Sequence, residues 1–259
     1  MNTEIINENI KRAVIPFLDV FTTVYLIRYD GGYILFDTAT YASDVDNYII
    51  PILKEEGIDA EELKYIFISH NHGDHSGGLS RLLEFFPSVK VISRSPALSE
   101  KFPNANILNL EDGYEFERDF CLIAIPGHSR DSAALYDSRT KTLITGDSLQ
   151  LYGLFGSGEW GSNIGLPSEY FEALEKLEKM DIESVYTAHD FHPYGYAYVG
   201  KEAVKKALSA CRAPILEIKA MIEENPTLTD AEIREKYNSQ NLPTVRLGVF
   251  AAVRNFRIK

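Results

Sequence analysis

The sequence predicts an α/β protein with a helical appendage at its C-terminal end. Three observations carry that expectation. Apolar, β-rich runs recur from Phe21 to Ala188 between Gly, Pro and Asp turns, helical patterns stand between several of them, and from Gly200 onward the apolar spacing is helical alone. The change of spacing divides the chain into a main domain over residues 1–199 and a helical extension over 200–259, which must bury its apolar stripes on that domain or on a second subunit. The 259 residues, 45% hydrophobic and 25% charged, have globular proportions and can bury a sizeable core.

The elements follow in order. FTTVYLIRYDGGYILFDT, residues 21–38, is two β runs around Asp30-Gly31-Gly32, a hairpin signal. Val45, Tyr48, Ile49 and Ile52 give Asp44 to Glu56 a helical face that ends at Gly57, and Pro51 within it forces a kink or a split. Lys64 to Ser69 reads as a short buried strand, and Gly77-Gly78-Leu79 opens a helix to Phe86. Val89 to Ser93 resumes the sheet, followed between Tyr114 and Thr145 by the strands FCLIAIPG, SAALYDS and TLITGD. Leu149 to Gly165 is a loop of glycines and aromatics that suits a lid, Pro167 to Met180 an amphipathic helix, and Ser184 to Ala188 a strand. Thr229-Asp230-Ala231-Glu232 is a capping box in the extension.

Charge and cysteine content narrow the function classes. The net charge of -12 argues against general nucleic-acid binding, which needs a clustered basic surface. The charge is uneven: residues 200–259 hold eleven basic and seven acidic side chains, and residues 1–199 hold fifteen and thirty-one. Arg246, Arg254, Arg257 and Lys259 form a basic run at the end. Cys121 and Cys211 make no disulfide framework and no metal-binding pair, which fits a reducing compartment. The first twenty residues lack the basic start and apolar stretch of a secretory leader, and no apolar run reaches the roughly 18 residues of a membrane span, so a cytoplasmic location is expected.

The histidines decide the chemistry. His70-Asn71-His72-Gly73-Asp74-His75 places three of the six histidines and one carboxylate in six positions after a buried strand. Imidazole and carboxylate are ligands for zinc, and also for iron or manganese. His128, Asp147 and His189 each follow an apolar β-like run and are expected at strand ends. Together these residues supply seven ligands, enough for two divalent ions. Such a pair of ions can share a water, lower its pKa to near neutrality and polarise a carbonyl or phosphoryl oxygen, so hydrolysis is the natural reaction.

Five blocks in order, Asp37-Thr38-Ala39, Ser69 to Gly78, Pro126 to Ser129, Gly146-Asp147 and Ala188-His189, make the chain resemble the metallo-β-lactamase superfamily. The resemblance implies a four-layer αββα sandwich, two mixed sheets covered by helices on their outer faces, with the site at one edge. It implies that His70, His72 and His128 hold one metal, that Asp74, His75 and His189 hold the other, and that Asp147 bridges them. Asp74 then also orients a bridging hydroxide as the catalytic carboxylate, and Asp37 orients a ligand histidine through its other ring nitrogen. One departure stands out: the family often has Gly where this chain has Ala39.

Among the subfamilies, His72 disfavours the flavodiiron pattern, and Asp147 disfavours a true β-lactamase. The branch resembling glyoxalase II and the lactonases remains, hydrolysing a small-molecule ester, thioester or lactone with two zinc ions. The alternatives are a phosphodiesterase or nuclease of the same fold, or a mononuclear-iron persulfide dioxygenase. Candidate substrate contacts are Tyr152 and Trp160 in the aromatic loop, and His192 and Tyr194 after His189. GSGEWG, residues 156–161, matches a dinucleotide pattern but lacks the strand and helix around it. A homodimer is a further expectation for the helical extension.

Overall fold

The computed structural model describes residues 3–240 and 242–258; Lys259 of the basic run lies outside them. The chain falls into two compact units, one holding residues up to Ala124 with Ala133–Tyr136, the other Ile125–Ser132 and the chain from Asp137 onward.

The first unit opens with an antiparallel meander, β1 (Thr3–Asn7), β2 (Ile10–Phe17), β3 (Val20–Tyr29) and β4 (Gly32–Phe36). The expected hairpin is β3–β4, closed with Tyr29 opposite Gly32. β1 and β2 were not legible, because Lys11, Arg12 and Pro16 interrupt the apolar alternation; Arg12 is nonetheless buried and pairs with Glu4 at 2.7 Å. The helix expected over 44–56 is divided into α1 (Ala42–Asp44), a π-helical turn (Val45–Ile49) and α2 (Ile50–Glu55). Pro51 has no N–H to return to the preceding turn, so the widened turn ahead of it is where the split falls.

Then come β5 (Leu63–Phe67), α3 (Gly73–Ser76), α4 (Leu79–Phe85), β6 (Lys90–Ser93), α5 (Pro96–Lys101) and β7 (Asn106–Asn109). β4, β5, β6 and β7 run parallel, so β1 to β7 form one sheet in chain order, antiparallel at one side and parallel at the other. One apolar cluster packs Val24, Leu26, Leu35 and Ile66 of that sheet against Ile49, Leu53 and Leu82 of the helices. The connections after β5 therefore leave the C-terminal end of a strand buried on both faces, the usual place for a site in a parallel sheet. β8 (Glu115–Phe116), β9 (Phe120–Ala124) and β10 (Ala133–Asp137) contribute to a second sheet.

In the second unit β11 (Thr142–Ile144) runs parallel to β13 (Ser184–His192), with β12 (Gly153–Leu154) antiparallel on β13, and α6 (Pro167–Glu178) lies between them in sequence. β13 outruns the expected Ser184–Ala188 because β12 and β14 (Gly195–Val199) pair with its last residues. The extension is four helices, α7 (Lys201–Ala210), α8 (Ala213–Glu224), α9 (Asp230–Asn238) and α10 (Leu247–Asn255). The Thr229–Glu232 capping box opens α9. Cys211, Ile215, Ile218, Val249, Phe250 and Val253, on the two expected apolar faces, are all buried. Among the described residues no helix is long and apolar enough to cross a membrane.

Candidate metal centre

Each unit carries its own set of candidate ligands. In the first, the chain leaves β5 through Ile68 and Ser69 and turns into α3, so His70, His72, Asp74 and His75 sit on one tight loop. The His70 ring lies 4.5 Å from that of His72 and 4.3 Å from that of His75, centroid to centroid. His70 and His75 are buried while His72 is exposed, so this part of the site opens to solvent at His72. The loop is held down by Thr38, whose N–H and Oγ1 donate to the His75 carbonyl at 2.7 and 2.8 Å. Gly77 and Gly78 make this approach sterically feasible: a Cβ at either would lie 2.1 Å from the Thr40 or Thr38 carbonyl oxygen. The paired glycines after the histidine motif are thus a packing requirement.

Asp37 lies fully buried beneath the loop. Its Oδ1 accepts from the Ser69 N–H at 2.8 Å, and its Oδ2 accepts from Ser69 Oγ at 2.9 Å and from His75 Nδ1 at 2.7 Å. Burial pushes the Asp37 carboxyl up from the ordinary value, against the downward pull of His75 and Ser69. With Nδ1–H donating to Asp37, the His75 Nε2 lone pair points at Asp74 Oδ2, 3.2 Å away. Asp37 and Ala39 both have left-handed backbone, φ 62° and 59°. The glycine common at position 39 in the family is accounted for by that conformation, which costs an alanine roughly 1–2 kcal/mol.

In the second unit, His128 follows Gly127, whose φ of 151° and contact with the Tyr170 ring leave no room for a Cβ. His128 Nδ1 donates to the Asn163 carbonyl at 2.9 Å. A carbonyl only accepts, so Nδ1 carries the proton and Nε2 presents a lone pair, 3.7 Å from Asp147 Oδ2. Asp147 follows β11, and its other oxygen lies 3.1 Å from His189 Nε2. His189 is not at a strand end as expected: it lies within β13, where the pairing register shifts between Tyr186 and Phe191. An irregularity of that kind redirects a side chain out of its regular alternation.

The donor set fits divalent ions. In each unit an imidazole nitrogen with its lone pair exposed faces a carboxylate oxygen, and two acceptors in that geometry are satisfied together by a cation. Among the described residues the His and Asp side chains of metal-binding type are His70, His72, Asp74 and His75 in the first unit and His128, Asp147 and His189 in the second.

The aromatic loop read as a lid is stitched down within the second unit. Gly153 and Leu154 pair with His192 and Phe191, the Gly161 N–H donates to Thr244 and the Thr244 N–H to Gly158, and Trp160 lies under the Arg246 guanidinium, 5.2 Å from its centroid. Tyr152 and Tyr194 stack in parallel with centroids 6.1 Å apart. The Tyr152 hydroxyl donates to Glu217 Oε1 at 2.6 Å, and this bond together with burial pushes the phenol up to about 12. Its proton is therefore committed to Glu217 of α8. His192 is exposed, its ring 5.6 Å from that of Phe155. Asn163, Gln150 and Glu217 were missed in the sequence. A backbone carbonyl carries no side-chain signal, and a single Gln or Glu has no spacing to betray it.

A family model described as the metallo-beta-lactamase superfamily matches residues 18–189, and the chain belongs to that superfamily. The atrochrysone carboxyl ACP thioesterase of Emericella nidulans is 27% identical over 171 residues, 65% of this chain and 51% of that protein. A hydroxyacylglutathione hydrolase of Photobacterium profundum is 31% identical over 154 residues, 58% of this chain and 56% of that protein. The chain thus spans little more than half the length of these two relatives. Among solved structures, a metallo-beta-lactamase family protein from Thermus thermophilus superposes with a TM-score of 0.68 at 19% identity, covering 96% of this chain and 92% of that one. The two-sheet α/β fold expected from the sequence is the fold of that family.

Proposed function

We propose that this chain is a dinuclear metal-dependent hydrolase of a small-molecule ester, thioester or lactone, with residues 1–199 as catalytic domain and 200–259 as a helical extension. The observation that carries this reading is the orientation of His75 and His128, each tied through Nδ1 to an acceptor, the buried Asp37 carboxylate or the Asn163 carbonyl, so that Nε2 faces a carboxylate. His70, His72 and His128 are assigned to one ion, Asp74, His75 and His189 to the other, and Asp147 to both, with zinc preferred over iron or manganese for its affinity for imidazole. Ions so held would supply a water acidified to near-neutral pKa and Lewis-acid polarisation of a carbonyl oxygen. The Asp74 carboxylate accepts a hydrogen bond from the attacking water and so aims its lone pair. Asp37 and Asn163 keep the two histidines in the ligating tautomer. Tyr194, stacked on a Tyr152 whose own proton is engaged, presents its hydroxyl to the substrate; Trp160 lies on the loop that carries Tyr152, and His192 ends β13 two residues before Tyr194.

Acyl transfer to water is favoured over phosphodiester cleavage by the names of the two relatives, a thioesterase and a hydroxyacylglutathione hydrolase. The test is a panel of thioester, lactone, phosphodiester and β-lactam substrates, run on protein loaded with Zn²⁺ and assayed for metal by elemental analysis. About two ions per chain and turnover of a thioester or lactone are expected. Turnover confined to phosphodiesters, or a stoichiometry that stays at one in excess Zn²⁺, Fe²⁺ and Mn²⁺, overturns the reading.

A further inference from the structure

Gln150 lies three residues beyond Asp147, and its side chain is buried. Its Nε2 donates to the Asp147 carbonyl at 2.8 Å, and its Oε1 accepts from the Asn163 N–H at 2.9 Å. A backbone N–H can only donate and a carbonyl only accept, so the orientation of the amide is fixed by its partners. Asn163 passes the connection on, because its own carbonyl accepts from His128 Nδ1 at 2.9 Å. His128 Nε2 then faces Asp147 Oδ2 at 3.7 Å, so the chain of contacts returns to the residue where it began. Three hydrogen bonds and this ligand-to-ligand approach, which is not itself a hydrogen bond, arrange Asp147, Gln150, Asn163 and His128 in a ring.

The ring is anchored. The fully buried Tyr170 grips Gln150 through both backbone groups: the Gln150 N–H donates to Tyr170 Oη at 2.8 Å, and Tyr170 Oη donates to the Gln150 carbonyl at 3.0 Å. Tyr170 also packs on Gly127, the residue before His128. The Gln150 amide, buried with its donor and its acceptor both engaged, holds a single arrangement, since displacing it leaves polar groups to be re-satisfied in a low-dielectric interior.

We infer that Gln150 is a positioning residue that locks His128 and Asp147 into one mutual orientation, using its amide to join the backbone of one ligand to the acceptor that sets the tautomer of the other. The inference rests on the reading of His128 and Asp147 as metal ligands. Neither residue changes its own chemistry when Gln150 is altered, so the effect is one of geometry. Outer partners of this kind are worth about 10- to 100-fold in metal affinity.

The test uses full-length Gln150→Glu and Gln150→Leu. The first keeps the acceptor toward Asn163 and sets an oxygen against the Asp147 carbonyl; the second removes both bonds. Zn²⁺ affinity by chelator competition should fall about 10- to 100-fold in both, and the visible spectrum of Co²⁺-loaded protein should change in shape. A purely structural role would lower thermal stability and leave that spectrum and the affinity of the folded fraction alone. Folded variants with Zn²⁺ affinity within twofold of the parent overturn the inference. Should neither variant fold, histidine ¹⁵N spectra of the unaltered protein decide. The Nδ1–H tautomer at His128 supports the ring, and the Nε2–H tautomer refutes it. Absence of metal binding in the unaltered protein would instead refute the proposed function.

Discussion

Asp37→Asn alters one buried group, and its consequence follows from the bonds that group makes. The carboxylate accepts three times, from the Ser69 N–H, from Ser69 Oγ and from His75 Nδ1. An asparagine that keeps its oxygen on the Ser69 N–H turns its NH₂ toward His75 Nδ1. His75 must then offer a lone pair at Nδ1 and carry its proton on Nε2, the atom facing Asp74 at 3.2 Å. The flipped amide keeps the His75 tautomer but sets NH₂ against the Ser69 N–H and forgoes a charge-assisted bond of about 1.5–3 kcal/mol. Either outcome weakens one ligand of one ion. Metal affinity at that ion should fall about 10- to 100-fold, equivalent to about 1.4–2.7 kcal/mol. Backbone strain is not the cause, because asparagine tolerates the φ of 62° at position 37 as aspartate does. Nor should the fold be lost, since burial already disfavours the charged carboxylate and the amide removes that charge. Zn²⁺ titration against a chromophoric chelator should resolve one binding step left near its parent value and one weakened. Two unchanged steps in a folded variant would refute the assignment of Asp37 as the group that orients His75.

Asp74→Asn should reduce turnover by far more than it reduces metal content, because six of the proposed ligands remain; elemental analysis beside steady-state rates measures both, and a normal kcat would remove Asp74 from the site. Glu217→Ala should raise KM about tenfold with smaller change in kcat, at the scale of one lost charge-assisted bond, and leave Zn²⁺ stoichiometry alone; an unchanged KM would mean that the Tyr152–Tyr194 stack does not meet the substrate. Burial pushes the Cys211 thiol up to about 12, so at pH 8 a thiol reagent should modify Cys121→Ser protein only after denaturation. The same shift is a folded value above the unfolded one, so its stabilising contribution is complete below about pH 9 and lost as pH rises toward 12; alkaline melts of Cys211→Ala should decline less steeply. Truncation after Tyr198 removes the partners of Tyr152, Trp160 and Phe171, namely Glu217, Arg246 and Phe256, and should give insoluble protein or a strongly raised KM. A monodisperse product with unchanged KM would make the extension an independent module.

Much of the site is written in short-range pattern. The HxHxDH string is identifiable because a loop of ligands after a buried strand needs particular residue types at fixed spacing, whereas Asp37, thirty-three residues earlier, was legible only through the family resemblance. The hairpin at Asp30-Gly31, the split at Pro51 and the α9 cap are likewise local, each dictated by backbone chemistry within a few residues. β1 and β2 were hidden because buried Arg12 breaks the alternation, and its ion pair with Glu4 forms only once the two strands are paired.

What tertiary structure alone decided is which acceptor each histidine meets and whether the aromatic loop is at liberty to move. Asn163 fixes the His128 tautomer with a backbone carbonyl, which every residue type possesses, so no letter in the sequence could single it out. Gln150 meets Asp147 and Asn163 with its backbone held by Tyr170, on α6 and twenty residues on. The loop at 149–165 has the glycines and aromatics of a lid, yet it is an edge of the second unit's sheet, bonded to Thr244 more than eighty residues on. Composition determines what a segment could do; hydrogen bonds to residues remote in the chain determine which of those options remains.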